Sequence, residues 1–69
     1  MNDLQERLLQ AHVEGDKAGL VRLYAEAADS TDDTDTRCFF LTHAYIFALE
    51  INDPETSTLY TRLKAFDRV

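Results

Sequence analysis

Few side chains in this 69-residue chain belong to the types that do chemistry, and their spacing limits what they can do. The nucleophile and acid–base candidates are His12, His43, Cys38 and Ser30, the last flanked by Asp29 and Asp32. A nucleophilic site needs its thiol or hydroxyl within hydrogen-bond reach of a base that a third group orients. No motif gathers these residues: His12 and His43 fall in different halves, and Cys38 sits in an apolar run. Cys38 is therefore expected as a small buried hydrophobe, and the histidines as packed or edge residues. Asp29, Asp32, Asp33 and Asp35 form an acidic cluster without the central glycine and closing glutamate by which a calcium loop wraps its ion. No Cys/His spacing suits zinc. The expectation is a protein with no catalytic residues, no metal and no cofactor, and not an enzyme.

The elements that position these residues read as four helices. From Asp3 to Glu14, Leu4, Leu8 and Ala11 recur at helical spacing, with Leu9 and Val13 widening the stripe. Gly15 suits the left-handed position at a helix end, and Asp16 caps the next helix. That second helix runs from about Lys17 to Asp29, with Val21, Tyr24, Ala25 and Ala28 facing inward beside Leu20 and Ala27. Residues 30–35, Ser-Thr-Asp-Asp-Thr-Asp, have no apolar member and form the long connection. The third helix runs from about Asp35 to Ile51 and is apolar nearly all round, so it is expected to be covered on most sides and to form the centre of the domain. Its least apolar stripe is Phe39, Thr42, His43, Ile46 and Glu50. Asn52-Asp53-Pro54-Glu55 gives an aspartate cap, a proline at the first helical position and an acid in the first turn. The fourth helix then extends to about Asp67, burying Leu59, Leu63 and Phe66, with Tyr60 beside them. Tyr24, Tyr45 and Tyr60 all fall on inward faces. No stretch alternates with period two, so the fold class is all-α, one domain over residues 1–69, built as two antiparallel helical hairpins.

Charge narrows the functions. The chain carries a net −6. All of it lies before Arg37, where nine acids meet three bases; from Arg37 onward four acids balance four bases. Phosphate contacts need lysine and arginine, so the balance argues against nucleic acid as a partner. Cys38–Ile51 is too short to cross a bilayer and is interrupted by Thr42, His43 and Glu50, so no membrane partner is expected. The first residues lack a basic start followed by an apolar run, and a single cysteine suits a reducing compartment. A cytoplasmic location follows as the expectation.

The two short turns imply a repeat of about 36 residues, with Glu14/Glu50, Leu23/Leu59 and Tyr24/Tyr60 as identities. Asp16 followed by Leu23-Tyr24-Ala25-Glu26-Ala27-Ala28 resembles the second helix of Sel-one-like repeats, relatives of the tetratricopeptide repeat. Asn52 followed by Leu59-Tyr60-Thr61-Arg62-Leu63-Lys64 is similar to a second copy. Leu41-Thr42-His43-Ala44-Tyr45 resembles the first-helix segment, with Thr42 where that family usually has glycine. The resemblance implies a tetratricopeptide-like pair of hairpins, with a plain four-helix bundle as the alternative fold, and a scaffold or adaptor that binds proteins. Separately, Ala28-Asp29-Ser30 with Asp32 resembles the stretch that carries the phosphopantetheine serine of acyl carrier proteins, which implies modification at Ser30. Thr31 stands where an aliphatic residue should follow, and the third helix lacks the acidic face of a carrier, so Ser30 is read as a loop or cap residue.

These readings converge on a small protein–protein interaction module with Phe39, Thr42, His43, Ile46 and Glu50 as the candidate patch. Its partner is another protein or a second copy of the chain, a homodimer through the apolar third helix. The alternative is an acidic regulatory or inhibitor subunit that meets a basic protein. An acyl-carrier-like protein modified at Ser30 stands third.

Overall fold

The computed structural model describes residues 3–68. They form four helices and no strand: α1 (Asp3–Glu14), α2 (Lys17–Asp29), α3 (Thr34–Ile51) and α4 (Glu55–Ala65). Each end has a local cause. After α1, Gly15 takes φ +67°, the Asp16 N–H donates to the Ala11 carbonyl, and the Gly15 N–H donates to that of His12. This left-handed closure satisfies carbonyls that would otherwise lack a partner. Asn52 (φ 55°) repeats it after α3, with the Asp53 N–H on the Ala48 carbonyl. Asp67 (φ 63°) repeats it after α4, with the Arg68 N–H on that of Leu63. α4 accordingly stops at Ala65 and not near Asp67. The acidic connection is spent on caps: the Asp33 carboxylate accepts from the Thr36 N–H at 2.8 Å and from its hydroxyl at 2.6 Å. That cap starts α3 at Thr34, one residue before Asp35. Pro54 takes helical angles just ahead of α4, and the Asp53 carboxylate accepts from the Glu55 N–H at 2.8 Å.

Ion pairs fix the antiparallel course. Arg7 of α1 meets Glu26 of α2, Lys17 at the start of α2 meets Glu50 at the end of α3, and Arg68 after α4 meets Asp35 at the start of α3. Arg37 donates back to the carbonyls of Ala28 and Thr31, closing the end of α2. All are partly exposed, so they set register more than stability.

The core joins α2, α3 and α4 through Val21, Ala28, Cys38, Leu41, Ala44, Ala48, Leu59 and Leu63. Alanines at Ala28, Ala44 and Ala48, all fully buried, let α2 and α3 approach closely. The most extensive packing therefore lies between the two hairpins rather than within either. α1 packs on α2 alone among substantial contacts and contributes one buried side chain, Ala11. The Cα envelope measures 31 × 28 × 12 Å, a thin slab that leaves helix faces open to solvent.

The thin slab overturns three expectations. Leu9 and Val13 do not widen the α1 stripe; they are 66% and 73% exposed, because one neighbour covers only a narrow face. Tyr60 is exposed at the margin of α4, where it touches Tyr45, ring centroids 6.1 Å apart. And α3, although central, is not covered on most sides: α2 and α4 flank it, leaving Phe39, Ile46 and Leu49 about half exposed.

Candidate functional site

Tyr24 is the centre of the most distinctive side-chain arrangement. About two and a half helical turns after Asp3 and two after Lys17 carry His12 and Tyr24 to the α1/α2 contact, where His12 Nε2 and the Tyr24 hydroxyl lie 2.9 Å apart. From α3, the His43 ring stacks on Tyr24 with centroids 5.2 Å apart, and Phe47 stacks at 5.9 Å. Phe40 lies at 6.2 Å. His43 Nδ1 is 2.9 Å from the Phe39 carbonyl, and a carbonyl only accepts, so Nδ1 carries the proton. Phe39 also packs its ring on His43 at 4.4 Å. The two histidines, which no sequence motif connects, thus meet the same tyrosine. Their signal was absent from sequence because the contact depends on how α1 and α3 sit against α2.

Tyr24, Phe40 and His43 of this cluster line a groove of about 530 Å³ between α1 and α3. Leu4 and Leu8 form one wall, Phe39, Phe40 and His43 the other, and Tyr24 and Ala27 the base. Ser30, Thr31 and Thr36 close one end, with hydroxyls already committed: Ser30 donates to the Ala27 carbonyl, Thr36 donates to Asp33, and Thr31 accepts from the Asp33 N–H. The volume falls in the range of ligand and peptide clefts. A smaller cleft of about 280 Å³ between α2 and α4 has Val21 and Leu59 among Arg22, Glu26, Asp29 and Glu55.

The sequence-derived patch divides in two. Phe39 and His43 line the groove; Phe39, Thr42 and Ile46 are exposed on the outer side of α3. The Thr42 hydroxyl donates to the Cys38 carbonyl, and Glu50 pairs with Lys17 at 3.0 Å. Leu49, not in the predicted stripe, joins it at 53% exposed, and Leu4 and Leu8 supply the facing wall. Leu49 lies outside that stripe because apolar patterning cannot distinguish the sides of a helix apolar all round.

The remaining chemistry-bearing residues are occupied structurally. Cys38 is buried in the core cluster. Asp29 pairs with Arg62, Asp35 with Arg68, and Asp33 caps α3; among the described residues no three His, Cys, Asp or Glu side chains converge. The Asp33 carboxyl is held below its usual range because the Thr36 hydroxyl and N–H bond its charged form. Hydrogen bonding to Glu26 pushes the Arg7 guanidinium upward, as hydrogen bonding to Asp35 does for Arg68. Among the described residues no helix is long and apolar enough to cross a membrane. No protein-family model, curated protein or solved structure matches the chain.

Proposed function

We propose that the protein is a small protein–protein interaction module, an adaptor or scaffold, that binds through its α1/α3 side. The observation that carries this reading is the apolar groove over Tyr24, continuous with the exposed Phe39 and, two turns along α3, Ile46. Among the described residues seven large apolar side chains are exposed, whereas the buried core holds only five residues larger than alanine or cysteine. Surface of that kind on a thin slab gains from being covered. The groove presents aromatic and aliphatic walls with few uncommitted polar groups, which suits an apolar side chain or helix face of a partner better than a charged metabolite. We read the hairpins as two tetratricopeptide-like units on the sequence repeat of about 36 residues, and their turns are alike. Gly15 and Asn52 both turn left-handed, and Asp16 and Asp53 both cap the following helix.

The test is recovery of the tagged chain from its own source as wild type, Phe39→Glu and Arg22→Glu. A second protein, or an untagged copy of the chain, is expected with wild type and Arg22→Glu and is lost with Phe39→Glu. Recovery of nothing, or equal recovery with Phe39→Glu, contradicts the reading.

A further inference from the structure

We propose that the outer face of α3 pairs with the same face of a second copy, antiparallel about a two-fold axis at the level of Ala44. This deepens the interaction-module reading and rests on it only in treating that face as a binding surface. Phe39, Thr42, Ile46 and Leu49 are all exposed and follow one another at intervals of three, four and three residues. That is the spacing of a helix–helix seam, in which side chains of one helix fill gaps in another. The spacing is also its own mirror: with α3 reversed against itself, Phe39 faces Leu49 of the second copy and Thr42 faces Ile46. A two-fold interface must be self-complementary in this way. Here the two largest pairs lie at the ends and the small Thr42 near the axis, where the helices come closest.

Charge at this seam does not oppose a like partner despite the net −6. No Asp, Glu, Lys or Arg occurs from Cys38 to Leu49. The acids just beyond each end, Asp35 and Glu50, are paired within the chain to Arg68 and Lys17. The exposed area is modest. Phe39, Ile46 and Leu49 are 57%, 48% and 53% exposed. At on the order of 100 Å² apiece, two copies cover roughly 600 Å² through these residues alone, below the roughly 1,200 Å² at which standard specific interfaces begin and in the range of weak, transient encounters. With so small a contact and no ordered polar pairs across it, the dimer is expected to be weak and reversible, with Kd of about 10–300 µM.

Sedimentation equilibrium from micromolar to millimolar protein reads this directly. Wild type is expected to dimerise. Ile46→Glu should raise Kd at least about tenfold with unchanged helicity and Tm, while Val13→Glu, exposed on α1, leaves Kd unchanged. Should Ile46→Glu unfold the chain, Thr42→Glu at an already exposed polar position makes the same comparison. Register is read by oxidising an equimolar mixture of Phe39→Cys and Leu49→Cys, which should cross-link to each other in preference to themselves. Wild type monomeric at millimolar concentration, a dimer indifferent to both glutamate variants, or preferential Phe39→Cys self-linkage overturns the proposal. A monomer that still recovers another protein through Phe39 overturns the dimer alone and leaves the interaction module standing.

Discussion

At the residue scale, Gly19 and Asp16 form a coupled pair. The Asp16 carboxylate accepts from the Gly19 N–H at 3.0 Å, and a Cβ on Gly19 would stand 2.4 Å from the other carboxylate oxygen. Alanine at Gly19 gains roughly 1 kcal/mol of helix propensity but displaces a cap of about the same worth. Gly19→Ala should be near neutral alone and stabilise by about 1 kcal/mol in an Asp16→Ala background, a non-additivity that urea unfolding of the four variants measures. Asp33 gives the acid dependence. Its folded carboxyl lies below the unfolded range, so its contribution is present above the unfolded carboxylate pKa and disappears as pH falls through the folded one. Asp33→Asn should flatten that part of the stability–pH profile below about pH 4. At Tyr24, loss of the hydroxyl in Tyr24→Phe should cost under about 1 kcal/mol, since the ring stacking remains. Tyr24→Ala should cost about 2–4 kcal/mol and open the groove floor. Ser30 is exposed at the end of α2 with its hydroxyl on the Ala27 carbonyl, a capping role. Coexpression with a phosphopantetheinyl transferase is expected to leave the intact mass unchanged; an adduct there would favour the carrier reading.

At the element scale, the two equivalent turns make opposite predictions. Gly15→Ala places a side chain at positive φ and should cost about 1 kcal/mol, whereas Asn52→Gly relieves the same geometry and should stabilise by a few tenths to about 1 kcal/mol. Thermal unfolding separates the two. α1 has the fewest buried contacts and should exchange its amides through local opening at lower free energy than α2, α3 and α4, which hydrogen exchange resolves. The helices were legible because their ends carry strong chemistry: Gly15-Asp16, Asp33 before Thr34, and Asp53-Pro54 each act locally. What sequence could not show was coverage. Leu9, Val13 and Tyr60 have inward spacing relative to their own helices, yet whether a neighbour lies there depends on α1 and α4 each flanking the α2/α3 pair. The meeting of His12 and His43 on Tyr24 is tertiary for the same reason.

At the scale of the whole molecule, the acidic balance and the apolar groove predict different partners. Asp3, Glu26, Asp29, Asp35 and Glu50 all lie in ion pairs within the chain, which reduces the charge available to attract a basic protein. Binding through the groove and α3 should change little between low and high salt, whereas an acidic subunit seated on a basic partner would weaken steeply. Most directly, a photo-activated cross-linker at Phe39 can be compared with one at Arg22, irradiated in the protein's own source and read by mass. The account predicts defined adducts, to another protein or to a second copy, from Phe39 and not from Arg22; adducts from Arg22 alone, or from neither site, would contradict it.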